Sequence, residues 1–168
     1  MEALGAVSSC FAVISLAVQL ADSAYKIYEL LESIRNAPVE VIQLRSNIQG
    51  LHQVLKGIKE TLERQASQDH APSPSPVLCE ALSSCQKTLS SLEVQITDLQ
   101  SKTEGKGLAR VWKAMKIPPS RSKVKEAQSS VHGVCANLML AMQMNSNQLR
   151  SLTSDNTLPV SSTNCLPV

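Results

Sequence analysis

The sequence predicts an all-α fold: a single antiparallel bundle of four to five helices with a long hydrophobic N-terminal helix. Apolar residues recur at alternating spacings of three and four along several long stretches, as on one face of a helix. Aromatic residues make up only 2% of the chain and glycines number 6, so aliphatic side chains must build the core. The joint Asn36-Ala37-Pro38 is short, which favours helices folding back within one chain over an intermolecular coiled coil.

The first helix is predicted over about residues 3–35, and its stretch 3–21 contains no charged side chain. After Asp22 the pattern becomes amphipathic. Two adjoining faces of this helix are apolar. One carries Leu4, Val7, Phe11, Ile14, Val18, Ala21, Tyr25 and Tyr28, and the neighbouring face carries Ala3, Ala6, Cys10, Val13, Ala17, Leu20, Ala24 and Ile27.

A helix that is apolar on nearly all sides belongs either in a protein core or in lipid. Residues 3–21 are borderline for a bilayer, which needs about 20 apolar residues. Its strongly apolar side chains each favour insertion by roughly 0.3 to 0.6 kcal/mol, while its serines, Gly5 and Gln19 oppose it. Core burial and conditional insertion both fit, and a helix that moves between the two environments satisfies both. A signal peptide is disfavoured because no basic region precedes the stretch.

The second and third helices have ordinary amphipathic patterns. The second follows Pro38, and the third follows Pro76. Between them, residues 65–76 form a polar, proline-rich loop in which Ser73 and Ser75 are possible phosphorylation sites. The predicted core positions are Val41, Leu44, Ile48, Leu51, Leu55, Ile58 and Leu62 in the second helix and Leu78, Leu82, Cys85, Leu89, Leu92, Ile96 and Leu99 in the third.

The last helix is predicted to start near Ser120, which is a suitable N-cap. Its core positions are Val124, Ala127, Val131, Val134, Leu138 and Ala141, with Cys135, Met139 and Met142 beside them. No helical pattern continues from Thr153. We therefore predict a bundle over residues 1–152 and a disordered tail over residues 153–168.

The most basic part of the chain lies between residues 102 and 125, where eight Lys and Arg residues face one acidic residue, Glu104. A short apolar stripe around Trp112 runs through it. A short amphipathic helix with a cationic rim suits an interfacial membrane contact, and it also suits a surface helix whose Trp112 covers the end of the bundle. Binding to nucleic acid is not expected, because no recognised nucleic-acid motif accompanies the single aromatic residue.

No catalytic or metal-binding set is found in the sequence, so we predict no enzymatic activity and no cofactor. His132 and Cys135 are three residues apart but lack further ligands for zinc. The stretch 104–107 contains a Gly-Lys pair without the spacing of a phosphate-binding loop. The odd number of cysteines, 5, favours a reducing, cytoplasmic setting. Cys165 lies four residues from the end, as in a prenylation box, but the proline that follows at position 167 fits such a box poorly.

The order of these features resembles the N-terminal domains of fungal STAND (NOD-like receptor) proteins of the HeLo-like group. The resemblance rests on the small-apolar first helix, its Tyr-bearing second half and the Asn36-Ala37-Pro38 joint. It also rests on the stretch 110–116 (RVWKAMK) and on the closing helix, and it covers about residues 1–150.

The resemblance implies a non-enzymatic signalling domain of the programmed-cell-death type, as in heterokaryon incompatibility and innate immunity. In that family the first helix targets a membrane on activation, which assigns this role to Leu4, Val7, Phe11, Ile14, Leu16, Val18 and Leu20. Contacts to anionic lipid fall to Lys106, Arg110, Trp112, Lys113 and Lys116. The implied partners are anionic membrane lipids and a STAND receptor or further copies of the chain. A cytoplasmic protein that relocates to the membrane is expected, and an adaptor without membrane activity is the alternative.

Overall fold

The computed structural model describes residues 2–33, 37–67, 73–101 and 118–155 of the chain. Side chains are described from Cys10 onward in the first of these ranges, up to Ile96 in the third, and between Ser122 and Ser151 in the last, apart from Leu149. Within these ranges the secondary structure consists of four α-helices and contains no strand. The predicted all-α class and the long apolar first helix are confirmed.

The helices are α1 (Glu2–Glu32), α2 (Val39–Ala66), α3 (Pro76–Ser101) and α4 (Pro118–Asp155). α1 is shorter at its C-terminal end than predicted. α4 begins at Pro118 rather than Ser120, because proline is tolerated in the first turn of a helix. It also runs three residues past the predicted end at 152, whereas residues 156–168 of the predicted tail lie outside the described residues.

In the described part of the chain, each helix contacts two others: α1 contacts α2 and α3, and α4 contacts α2 and α3. The helices therefore form a four-membered ring in which α1 lies diagonally across from α4. Asn145 near the end of α4 contacts Gln65 near the end of α2, so these two helices run parallel. Asn145 also contacts Ser75 just before α3, so α3 and α4 are antiparallel.

These directions assign each helix terminus to one end of the bundle. One end, called here the α1-start end, holds the starts of α1 and α3 and the ends of α2 and α4. The opposite end holds the starts of α2 and α4 and the ends of α1 and α3. The predicted antiparallel packing holds for the pairs α1–α2 and α3–α4, whereas α1–α3 and α2–α4 are parallel neighbours.

The core is aliphatic, as the composition predicts. All seven predicted positions of α2 are buried, and so are the predicted positions of α3 up to Ile96 and the six of α4. Fully buried leucines such as Leu51 and Leu55 occupy its centre. Burial of such a side chain stabilises the fold by about 1.5–3 kcal/mol.

Candidate functional site

The uncharged segment of α1, residues 3–21, is the candidate functional site, and its two sides differ. Its inward side is part of the core from Cys10 to Ala21, and Ala17 is completely buried. Its outward side exposes Phe11, Ala12, Ser15 and Gln19. Sequence periodicity gave two adjoining apolar faces; the face that includes Cys10 and Ala17 packs inward, whereas Phe11 lies outside.

There is a physical reason why this face of α1 packs inward. An apolar pattern that runs round the whole helix does not select a face, and the inward face includes several small side chains. Cys10, Ala17, Ala21 and Ala24 leave room for α1 to approach the other helices closely. The bulkier Phe11 remains outside with 59% of its surface exposed.

The seven residues predicted to target a membrane divide into four groups. Phe11 is exposed, while Leu16 and Val18 are half-buried. Ile14 and Leu20 are buried in the core. Leu4 and Val7 lie in the first turns of α1, and their side chains are outside the described residues. Among the described members, the closed bundle therefore exposes Phe11 most, Leu16 and Val18 in part, and Ile14 and Leu20 hardly at all.

The described polar side chains on the outward side of the uncharged segment of α1 include Ser15 and Gln19, which are paired. Gln19 Nε2 donates a hydrogen bond to Ser15 Oγ at 3.4 Å, one helical turn away. A polar group that is already hydrogen-bonded costs less to transfer out of water than an unpaired one. This pairing lowers the cost of moving the outward side of α1 into an apolar surrounding.

His52 of α2 joins α1 at the point where the uncharged segment ends. Its Nδ1 lies 3.0 Å from the carbonyl oxygen of Ala21, which can only accept, so Nδ1 carries the proton. Its ring centroid lies 5.6 Å from that of Tyr25, which stacks in turn on Tyr28 at 6.3 Å. His52 is half-buried between α1 and α2. The periodicity of α2 gave no signal for this contact.

A second uncharged stretch, residues 127–149 of α4, runs from the level of Glu40 near the start of α2 to that of Gln65 near its end, so its later part lies level with the uncharged segment of α1. It exposes Met139, Leu140 and Met144. The facing half of α2, residues 53–66, exposes no large hydrophobic side chain and carries five charged ones. The absence of charge over these 23 residues is visible in the sequence, but the spacing of the apolar residues in α4 does not show it.

The described residues include no group of three His, Cys, Asp or Glu side chains placed to hold a metal ion. Burial, with a smaller contribution from Cys135, raises the pKa of the Cys85 thiol to about 12. Burial also raises the pKa of Cys135. Both side chains are therefore protonated thiols near neutral pH, which makes them poor nucleophiles.

The predicted lipid-contact residues Lys106, Arg110, Trp112, Lys113 and Lys116 lie outside the described residues. The helices on either side of them do locate the segment's attachment points. α3 ends at Ser101 and α4 begins at Pro118, both at the end opposite the start of α1. The uncharged segment of α1 and the two attachment points therefore lie in opposite halves of the bundle.

One helical stretch in the described residues, Cys10–Glu32 of α1, is long and apolar enough to cross a bilayer. Its most apolar 18 residues have a mean hydropathy of 1.3. Of these 18 residues, 44% are buried inside the bundle. The core helix of a water-soluble protein meets the same criterion, so this property alone does not separate the two environments.

Comparison with known protein families gives one match. Residues 14–138 match the family SesA, described as an N-terminal domain on NACHT NTPases and P-loop NTPases. This supports the predicted likeness to N-terminal domains of STAND proteins, without singling out the HeLo-like group. No curated protein and no solved structure gives a significant match.

Proposed function

Because the chain belongs to the SesA family of N-terminal domains on NACHT and P-loop NTPases, we propose that it is a non-enzymatic signalling domain whose α1 contacts a membrane on activation. The output is a cell-death-type response of the kind that operates in heterokaryon incompatibility and innate immunity. The domain resides in the cytoplasm and relocates to the membrane. Its partners are a STAND receptor, or further copies of the chain, and anionic lipids.

The observation that carries the proposal is the lack of charge on both sides of α1 over residues 3–21. A charged side chain at the centre of a bilayer costs about 2.5–3.5 kcal/mol on insertion scales. The uncharged segment avoids this cost altogether. The facing half of α2 would bring five charged side chains with it, so α1 is far better suited to enter lipid.

Release of α1 into water is unfavourable because it exposes core residues such as Ala17, Leu20 and Ile14. Release into lipid differs, since hydrocarbon is as apolar as the core that the helix leaves. A membrane therefore stabilises the released state selectively, which is what a ligand must do to shift a conformational equilibrium. The closed bundle is the resting state, and the receptor's activation supplies the change that favours opening.

The basic segment supplies the electrostatic part of the proposed contact. Each Lys or Arg near an anionic leaflet contributes about 1 kcal/mol. The segment is attached in the half of the bundle opposite residues 3–21, so both can reach one leaflet when the bundle lies along the membrane or when α1 swings out. Attachment through Lys106, Arg110, Lys113 and Lys116 weakens with rising salt, whereas insertion of α1 does not.

The test compares two exposed apolar residues changed to the same charged one. Phe11→Glu alters the proposed membrane face, and Val94→Glu alters α3, where Val94 is 68% exposed. Neither change buries a charge in the closed bundle. Leakage of anionic vesicles is measured with each full-length variant, with and without the loosening substitution Leu51→Ala.

Phe11→Glu is expected to lower leakage at least about tenfold, because a carboxylate replaces an inserting side chain. Val94→Glu is expected to leave leakage within about twofold of wild type. Equal effects of the two substitutions, or no leakage by any variant at low salt, would refute the membrane function.

The alternative is an adaptor domain that mediates only protein contacts. It is favoured by the depth at which α1 is packed, since nine residues from Cys10 to Leu31 belong to the core. Hydrogen exchange separates the two functions. Slow exchange across residues 10–21 both with and without anionic vesicles supports the adaptor, whereas faster exchange or a changed pattern with vesicles supports release of α1.

A further inference from the structure

Two Ser-Pro pairs follow one another directly before α3: Ser73-Pro74 and Ser75-Pro76. Ser73 is exposed and lies outside any helix, whereas Ser75 is only 5% exposed. Pro74 between them is buried. The serine of the pair is thus presented to solvent once and shielded once, whereas its proline is buried in the first pair and exposed in the second.

Ser75 is shielded because it links three helices. Its hydroxyl accepts a hydrogen bond from the backbone N–H of Leu78 at 3.2 Å and so caps α3. Its own backbone N–H donates to Oδ1 of Asn145 on α4 at 3.0 Å. The Asn145 amide then donates to Gln65 of α2 at 3.4 Å. Ser75 and Asn145 are the buried polar residues of the described part of the chain, and both belong to this one cluster.

We propose that this pair is a two-stage phosphorylation site for a proline-directed Ser/Thr protein kinase. Ser73 is modified in the closed bundle, and Ser75 is modified only after its contact with Asn145 opens. In each step the serine Oγ attacks the γ-phosphorus of ATP, the bond to the ADP oxygen breaks, and the hydroxyl proton passes to a base of the kinase. By sequence both serines suit such a kinase, so the structure alone distinguishes them.

The two phosphates have different consequences. A phosphate carries a charge of about −1.5 to −2 at neutral pH. On Ser73 this charge is solvated and leaves the bundle closed. On Ser75 the phosphoryl group would take the place of the hydroxyl proton inside a packed site next to the Asn145 carbonyl oxygen, which repels it. Phosphorylation of Ser75 therefore holds this part of the bundle open.

The position of the cluster connects this opening with α1, and this step rests on the proposed function. Ala21 lies beside His52, and Gln65 is 13 residues further along the antiparallel helix α2. The cluster is therefore level with roughly residue 8 of α1, within the uncharged segment. Opening there loosens the end of the bundle against which the first turns of α1 lie.

The test measures phosphate on each serine by mass spectrometry after incubation of the full chain with a proline-directed kinase and MgATP. A peptide covering residues 67–80 gives the kinase's own preference. Relative to the peptide, Ser75 of the wild type is expected to react at least about tenfold more slowly than Ser73, because only the opened fraction reacts. Equal protection of both serines, or of neither, would overturn the proposal.

Two substitutions in the cluster test whether its hydrogen bonds protect Ser75. Asn145→Ala is expected to speed the reaction at Ser75 about five- to tenfold and leave Ser73 unchanged. Gln65→Ala removes only the outer hydrogen bond of the cluster and is expected to speed Ser75 about twofold, without risk to the fold. No acceleration by either folded variant contradicts the proposal. The reaction contains no lipid, so its failure is independent of the vesicle experiment.

Discussion

α1 and α2 pack against each other along much of their lengths but are built differently. The seven buried residues of α2 are all Val, Leu or Ile. The buried residues of α1 include Cys10 and three alanines, Ala17, Ala21 and Ala24. Outside, the second half of α2 is densely charged, whereas residues 3–21 of α1 carry no charge.

The difference indicates which helix is easier to remove from the bundle. Hydrophobic stabilisation scales with the apolar area buried, so a helix that buries alanines contributes less per turn than one that buries leucines. The outward side of a helix that leaves the bundle must also be compatible with lipid. α1 satisfies both conditions, and α2 satisfies neither.

The largest expected effect comes from matched Leu→Ala changes in the two helices. Leu51→Ala on α2 removes a side chain with no exposed surface and is expected to lower the free energy of unfolding by about 2–5 kcal/mol. Leu20→Ala on α1, where Leu20 is 4% exposed, is expected to cost less in urea unfolding. Its main effect is faster hydrogen exchange within residues 10–21, because α1 opens separately from the other helices.

The comparison fails if the two substitutions lower the free energy of unfolding equally and change hydrogen exchange across all four helices alike. That result would mean that α1 and α2 unfold as one unit, and release of α1 alone would lose its thermodynamic basis. Gln53→Ala, on the exposed side of α2, is the control and is expected to change stability by less than about 0.5 kcal/mol.

A smaller effect is expected from overfilling the close contact of α1. Ala17 has no exposed surface, so Ala17→Leu forces neighbouring side chains to move and is expected to cost about 1–3 kcal/mol in urea unfolding. Ala12→Leu makes the same change on the exposed side of α1 and is expected to be nearly neutral. Equal costs at the two positions would show that the small residues of α1 do not determine which face packs inward.

Periodicity predicted the core faces of α2, α3 and α4 well, because each of these helices has one apolar side and one polar side. It did not predict the core face of α1, where Phe11 and Ala17 are equally apolar and only their sizes differ. Side-chain size predicts which face of α1 packs inward only when the neighbouring helices are known, and the sequence does not show which helices are neighbours.

The polar contacts between helices could not be predicted from the sequence, for a related reason. His52 and Asn145 each join segments far apart in the chain: His52 contacts Ala21, and Asn145 contacts Ser75. Such pairs leave no periodic signal, since a single polar residue at a helix interface looks like any residue on the solvated side. The membrane role of the uncharged segment was readable from the sequence as a prediction, and it stays one.

The smallest expected effect concerns the contact that joins α1 to α2 at Ala21. His52→Phe keeps a ring beside Tyr25 but removes the hydrogen bond from Nδ1 to the Ala21 carbonyl. The carbonyl keeps its bond within α1, so the expected loss in the free energy of unfolding is about 0.5–1.5 kcal/mol. His132→Phe on the exposed side of α4 is the matched control and is expected to change little. Hydrogen exchange within residues 10–21 should quicken in the first variant and not in the second. Unchanged exchange in both would show that packing alone, without this bond, holds α1 against α2.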